Sequence, residues 1–306
     1  MPNSPQPTVA VVIPCYQEAV TIGKVIADFR RELPAARIYV YDNNCTDGTA
    51  EIAAQAGAVV RREKRQGKGY VVAAMFEQIQ EDILVMVDGD DTYEASHVHE
   101  LLKPVLRGDA DMTIATRLTS HGEKSFRPLH VAGNQMVCGI INWMFKSHVS
   151  DIFSGYRVFT REAARQIPVT TKGFDVETEL TLQALYRGQV IQEMPAPYRA
   201  RPEGSFSKLN TFSDGFRVLL RLFLIVKSYK PLTFFGSISL GLFALGLAVG
   251  ALPVYEFITE HYVHRLPSAI LAAALVMLAF FSLGLGLILN SMNLRLLEIE
   301  QLISKR

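Results

Sequence analysis

Two uncharged apolar stretches constrain this chain more than any other feature. Leu232 to Leu252 (LTFFGSISLGLFALGLAVGAL) and Pro267 to Leu289 (PSAILAAALVMLAFFSLGLGLIL) carry no charged residue. Each exceeds the roughly 20 residues a helix needs to cross about 30 Å of hydrocarbon. A buried core helix is the alternative, but two glycine-rich stretches of this length in succession fit a membrane hairpin better. The loop between them, PVYEFITEHYVHR, sets Glu256 and Glu260 against Arg265. Arg217, Arg221, Lys227 and Lys230 precede the first stretch, and Arg295, Lys305 and Arg306 follow the second. The bias of basic residues toward the cytoplasmic side puts both termini in the cytoplasm. Residues 231–306 are therefore expected to form a transmembrane hairpin with a short cytoplasmic tail.

Just upstream, Phe212, Phe216, Leu219, Leu220 and Phe223 recur at helical spacing, with Asp214, Arg217 and Arg221 on another face. Residues 211–230 thus predict an amphipathic helix among lipid headgroups, its arginines toward the phosphates. A helix facing a protein core is the other reading of the same spacing.

Residues 1–210 have the composition of a soluble α/β domain. The net charge of +1 speaks against nucleic acid as a partner. Cys15, Cys45 and Cys138 show no CxxC spacing, which suits a reducing compartment better than a disulfide framework or a zinc site. His97, His99, His121, His130 and His148 are likewise scattered. The start MPNSPQPTVAVVIP has no basic region before a long apolar run, so no signal peptide is expected.

TVAVVIP reads as a buried strand, followed by a helix from about Val20 to Arg31 and a second strand, RIYVYD. A helix over Thr46–Ala56, the short strand AVVRR, a glycine-rich turn opening a helix (QGKGYVVAAMFEQIQ) and the strand DILVMV follow. Such alternation implies a mostly parallel sheet covered on both faces, with ligands at the carboxyl ends of strands. Polar residues gather at those ends: Pro14-Cys15-Tyr16-Gln17-Glu18, Asp42-Asn43-Asn44 and Asp88-Gly89-Asp90-Asp91.

Asp88 and Asp90 flank Gly89 where an apolar strand stops. A hard ion such as Mg²⁺ or Mn²⁺ is held by a few such oxygens together with phosphate oxygens. It would neutralise charge on a nucleoside diphosphate leaving group. Solvated turn carboxylates are the plainer alternative. Asp42 either accepts hydrogen bonds from a base or ribose or closes an Asx turn. Arg65, Lys68, Gly67 and Gly69 could approach a nucleotide closely, or form only a turn. Trp143 and Phe145 read as core residues.

Together these segments resemble glycosyltransferase family 2, whose members have a Rossmann-like GT-A fold. The matching pieces are VVIPCYQE, YDNNCTDGT, RQGKG, VDGDD, DIFSGYR (Asp151–Arg157), GFDVETEL (Gly173–Leu180) and YRARPEGSFSKLN (Tyr198–Asn210). The last block, followed by an interfacial helix and a hairpin, resembles the branch of dolichyl-phosphate mannose synthases and bactoprenol glucosyltransferases. The resemblance implies transfer of a hexose from a UDP- or GDP-sugar to a polyprenyl phosphate, undecaprenyl or dolichyl, with inversion and with Mg²⁺ or Mn²⁺. It places Pro14, Tyr16, Glu18, Asp42, Lys68, Asp88, Gly89 and Asp90 around the nucleotide sugar, with Asp88 and Asp90 on the metal. Thr92 stands where some relatives have glutamine. Arg117, Arg199, Arg201 and Lys208 fall to the acceptor and phosphates, and Asp90, Arg117 and Asp151 to catalysis. Asp151 would be a base or an acceptor-orienting carboxylate, unless it is a cap or a partner for Arg157. Two-helix relatives assemble, which makes a homo-oligomer possible.

Two rival functions fit parts of the sequence. A processive polysaccharide synthase would need more membrane helices and a QxxRW signature, which is absent. A non-catalytic membrane scaffold with the same fold would have no use for the intact Asp88 and Asp90 or the cationic segment from Arg199 to Lys208. The membrane stretches lack the charged residues that mark a translocation path, which speaks against a transporter.

Overall fold

The computed structural model describes residues 7–117, 128–173, 176–202, 223–224 and 226–304. It divides into two compact units, Met1–Lys208 and Leu209–Arg306. In the first unit the order is β1 (Val9–Cys15), α1 (Ile22–Glu32), β2 (Arg37–Asp42), α2 (Thr49–Gln55), β3 (Val59–Arg62), α3 (Lys68–Gln78) and β4 (Ile83–Met86). There follow α4 (Val98–Arg107), β5 (Met112–Thr116), α5 (Pro128–Phe145), β6 (Arg157–Thr160), α6 (Arg161–Gln166), α7 (Val176–Tyr186) and β7 (Ile191–Pro195).

The strands form one sheet in the order β3-β2-β1-β4-β6-β5-β7. All neighbours are parallel except β6, which runs antiparallel to both β4 and β5. This is the mostly parallel, Rossmann-like sheet of a GT-A domain. Strand side chains alternate between faces, and β1 shows the consequence. Val11 and Ile13 join one core cluster with Ile22, Val25, Ile26 and Phe29 of α1. Ala10 and Val12 join the other, with Val72 and Met75 of α3 and Leu180 of α7. With both faces covered, the ligand-accessible backbone is left at the strand ends. The order reverses at β1, which pairs with β2 on one side and β4 on the other. A crevice opens at the carboxyl ends of strands beside such a reversal.

The second unit contains α8 (Pro231–Glu260) and α9 (Leu266–Ser304). Both include windows apolar enough to cross a membrane. Leu240 and Phe281 are each 70% exposed, which a core helix of a soluble domain would not tolerate. The two helices pack antiparallel through small residues. A Cβ on Gly246 would lie 2.9 Å from Val276 Cγ2, and one on Gly286 would lie 3.0 Å from Phe235 Cβ. Ser239 Oγ donates to the Ala279 carbonyl at 2.7 Å, and Ser282 Oγ to the Phe235 carbonyl at 2.9 Å. Such close approach and cross-helix hydrogen bonding hold helices together where no hydrophobic effect acts between them.

Most of the segment expected as a loop is helical, because α8 runs through Pro253 to Glu260. The turn is short, with His261 left-handed at φ 57°. Glu256 spans it, accepting from the backbone N–H groups of His264 and Arg265 at the start of α9. A carboxylate satisfying otherwise unpaired N–H groups at a helix start replaces the longer loop. Lys208 and the amphipathic positions from Phe212 to Arg221 lie outside the described residues, while 223–224 and 226–229 are helical.

Candidate active site at the carboxyl edge of the sheet

The chain turns sharply after β1, β2 and β4. Gln17 (φ 57°), Asn44 (φ 62°) and Asp91 (φ 57°) are all left-handed, a conformation that costs energy for non-glycine residues and concentrates at functional edges. Side-chain hydrogen bonds hold these turns. The Gln17 amide exchanges two bonds with Thr46, and Thr21 Oγ1 donates to the Gly89 carbonyl at 2.6 Å. Asn43, buried at the end of β2, accepts from Gly67 N at 2.8 Å and donates to the carbonyls of Glu63 and Arg65. It thereby fastens the basic turn 63–67 to the sheet edge.

Asp42 closes an Asx-type turn: its Oδ1 accepts from Cys45 N at 2.8 Å, while Arg62 Nε stands 3.9 Å from Oδ2. Pro14 is the penultimate residue of β1, the Glu18 carbonyl accepts from Thr21 N and Ile22 N at the start of α1, and Tyr16 is 38% exposed at the rim. Gly67 and Gly69 are small for a reason the sequence did not suggest. A Cβ would come within 2.0 Å of the Lys172 carbonyl oxygen at Gly67 and 1.8 Å of the Thr171 carbonyl oxygen at Gly69. The glycines admit the segment before α7. Glu179 secures that segment by accepting from Thr170 N and Thr171 N.

The acidic turn after β4 is ringed by cations. Asp88 Oδ1 is 2.5 Å from Lys68 Nζ, and Lys68 also pairs with the buried Glu177. Burial alone would drive Lys68 toward neutrality, but Asp88 and Glu177 outweigh it and hold the ammonium charged well above its ordinary range. Burial pushes the Asp88 carboxyl up, and Lys68, then Arg117 and Arg201, overcome this and hold it below the usual carboxylate value. Asp90 is buried. Its Oδ1 accepts from Thr92 Oγ1 at 2.6 Å, and its Oδ2 takes both Nε and a terminal nitrogen of Arg201 at 2.9 and 2.7 Å.

Arg117, at the end of β5, grips Asp151 through Nε and a terminal nitrogen, both at 2.8 Å, and through its backbone N at 3.0 Å. Asp151 is fully buried. The Arg117 guanidinium also lies 5.4 Å from the centre of the Tyr198 ring. Burial lowers the Arg117 pKa, but Tyr93 and Asp151 more than offset this and raise it. Tyr93 and Tyr198 form an isolated bridge, and Arg199 N donates to the Thr92 carbonyl at 2.8 Å, so segment 198–201 lies across the acidic turn. Within it Arg201 points to Asp90, whereas the Arg199 side chain turns to Glu94. Arg157 does not pair with Asp151. Fully buried, it donates to the Ser154 and Ile152 carbonyls and Thr181, and burial lowers its pKa to about 10.

The structure thus brings Lys68, Asp88, Asp90, Arg117, Asp151 and Arg201 together and leaves Asp42 and Arg199 with other partners. Glu177 and Gly155 belong to the site too. GFDVETEL and DIFSGYR contain them, but only folding sets Glu177 on Lys68 and Gly155 under Asp88. A Cβ on Gly155 would lie 2.1 Å from Asp88 Oδ2. Gly155→Ala is therefore expected to push Asp88 off Lys68 while leaving the fold intact. Calorimetric titration with nucleoside diphosphate and Mn²⁺ should show affinity reduced about 10- to 100-fold, the range for disturbed metal-supporting groups.

Asp88 and Asp90 suit a divalent ion by their chemistry. They are two hard oxygen donors two residues apart on one turn, and the absence of a side chain at Gly155 is what lets the Asp88 carboxylate sit where it does. Among the described residues no third histidine, cysteine or carboxylate completes a cluster. An ion here would share its coordination with phosphate oxygens and water, as Mg²⁺ commonly does.

A doubly covered sheet with an acidic turn at its order reversal and cations around that turn defines an α/β protein with a charged crevice at the carboxyl edge of its strands. The chain belongs to glycosyl transferase family 2, whose family model matches residues 10–167. It is 34% identical to glycosyltransferase AglJ of Haloferax volcanii over 96% of this chain and 98% of the relative. A dolichyl-phosphate hexose transferase of the same organism is 31% identical over 67% of this chain and 88% of its own length. Among solved structures, glucosyl-3-phosphoglycerate synthase from Mycobacterium tuberculosis in complex with Mg²⁺ and UDP superposes with a TM-score of 0.55 at 25% identity. That match covers 71% of this chain and 79% of the other.

Proposed function

We propose that this glycosyltransferase moves a hexose from a UDP- or GDP-sugar to a polyprenyl phosphate, with inversion, at the cytoplasmic face of a membrane. One observation carries the reading: the Asp88-Gly89-Asp90 turn sits among Lys68, Arg117 and Arg201. That edge offers carboxylates for a metal and cations for two separate phosphate groups. The relative named a dolichyl-phosphate hexose transferase and the two membrane-length helices support the lipid acceptor. In this reading residues 1–210 are the catalytic domain, 211–230 an interfacial helix and 231–306 a hairpin anchor with both termini cytoplasmic.

The acceptor phosphate monoester has a second pKa near ~6, so its attacking oxygen is mostly ionised at neutral pH and needs little help from a base. The obstacle is repulsion between this anion and the donor diphosphate. Arg117, held by Asp151, is placed to receive the acceptor phosphate. Lys68 and Arg201, which face carboxylates, can turn to the diphosphate oxygens. As the acceptor oxygen bonds to the anomeric carbon and the diphosphate departs, these cations offset charge at both ends. Both Asp151 oxygens are committed to Arg117, so Asp151 acts as a positioning residue rather than a base. Asp88 and Asp90 would hold Mg²⁺ or Mn²⁺ with the diphosphate, and the ion would supply Lewis-acid neutralisation of the leaving group.

The test is transfer from a panel of radiolabelled UDP- and GDP-sugars to undecaprenyl and dolichyl phosphate in detergent or vesicles, with Mg²⁺, Mn²⁺ or EDTA. One labelled lipid that disappears with EDTA is expected. Folded protein that labels no lipid from any donor would sink the reading.

A further inference from the structure

Tyr93 lies three residues beyond Asp90 in the chain and is only 6% exposed. Its hydroxyl accepts from Gly155 N at 3.0 Å and shares a hydrogen bond with Ser154 Oγ at 3.2 Å. Gly155 is buried, so its N–H needs a partner inside the protein, and the phenol supplies one. Gly155 backs directly onto Asp88: a Cβ at residue 155 would lie 2.1 Å from Asp88 Oδ2. The Tyr93 oxygen therefore fixes the wall against which the Asp88 carboxylate rests.

The ring of the same residue serves the other side of the site. It meets the Tyr198 ring edge to face, with centroids 5.2 Å apart and planes at 72°. The Arg117 guanidinium carbon lies 5.4 Å from the centre of that Tyr198 ring. Tyr93 also meets Tyr156 at 5.4 Å, and Tyr156 meets Phe29 of α1 at 5.9 Å, so the stack is anchored in the core. Edge-to-face pairs hold their members in a defined orientation, and a guanidinium is attracted to the face of a ring.

We propose that Tyr93 is a positioning residue for glycosyl transfer with two separable roles. Its hydroxyl sets Asp88, through Gly155, for the nucleoside diphosphate and its ion. Its ring sets Arg117, through Tyr198, for the acceptor phosphate. The proposal rests on the reading of this edge as a polyprenyl-phosphate glycosyltransferase site.

Two variants of the full chain separate the roles. Tyr93→Phe removes the oxygen and keeps the ring, whereas Tyr93→Leu removes both. Each is titrated calorimetrically with UDP or GDP in the presence of Mn²⁺, and the KM for polyprenyl phosphate is measured in detergent. Tyr93→Phe is expected to weaken nucleotide binding about tenfold, the low end for groups that orient metal ligands, with acceptor KM unchanged. Tyr93→Leu should show the same loss and also raise acceptor KM about tenfold, the scale of a desolvated cation–π contact. If Tyr93→Leu does not fold, Tyr198→Leu compared with Tyr198→Phe, which keeps the ring facing Arg117, should show the same rise in acceptor KM. Wild-type nucleotide affinity in Tyr93→Phe, or a wild-type acceptor KM once the ring is lost, would overturn the proposal. A lower Tm with both values unchanged is what a purely packing role predicts, and it would overturn the proposal too. The nucleotide titration needs no turnover. Wild-type protein that binds nucleotide but labels no polyprenyl phosphate would remove the acceptor reading and the ring's role with it, while Tyr93→Phe still decides the role of the hydroxyl. Wild-type protein that binds no nucleotide would remove both.

Discussion

Asp88→Ala and Asp90→Ala are each expected to reduce transfer on the order of 10³-fold while the protein stays folded. Removal of one preorganised charge-stabilising group typically costs about 10²- to 10³-fold in kcat, and these carboxylates would also hold the metal. The two losses should differ in kind. Asp88 pairs with Lys68, so its removal also leaves the buried ammonium to Glu177. Asp90 pairs with Arg201 and Thr92, so its removal frees segment 198–201 at the edge it crosses. Asp88→Asn keeps the shape of the side chain and removes only the charge. Turnover measured beside circular dichroism separates lost chemistry from lost fold, and near-normal turnover in Asp88→Asn or Asp90→Asn would remove the metal role.

Arg117→Lys should lower kcat/KM for the polyprenyl phosphate about 100-fold and leave nucleotide affinity within error. Lysine keeps the charge but loses the planar fork that grips both oxygens of Asp151. Arg117→Ala is a poorer test, because it strands the buried Asp151 carboxylate, and breaking a buried pair costs about 3–5 kcal/mol. Arg117→Met with Asp151→Asn removes the charge without stranding it. If the double variant is folded and inactive while still binding nucleotide, Asp151 acts through Arg117. If Asp151→Asn alone abolishes transfer with acceptor KM unchanged, a proton-accepting role returns. Steady-state kinetics varied in each substrate, with nucleotide titration alongside, make the distinction.

Much of the fold was legible because its signals are local. The β2 segment RIYVYD coincides with the observed strand, and the apolar runs of β1 and β4 lead into polar turns. The antiparallel β6 was not legible. Its four residues, RVFT, carry no mark of direction, and only insertion between β4 and β5 sets it. Trp143, which is 68% exposed, was misread as a core residue because helical spacing on α5 is apolar on both faces, so periodicity could not say which one packs.

The site divides in the same way. The sequence alone determined the acidic turn, the cationic segment from Arg199, and the two membrane-length stretches, since each is contiguous and its chemistry follows from composition. Only the tertiary structure decided which charges meet. Lys68 finds Asp88 and Glu177, Arg117 finds Asp151, Arg201 finds Asp90, and Gly155 leaves room for Asp88. These partners come from different strands and helices, brought together at one sheet edge by strand order and register. Pairing across such distances in the chain leaves no periodic trace in sequence, because it depends on three-dimensional proximity and on the cost of leaving a buried charge without a counterion.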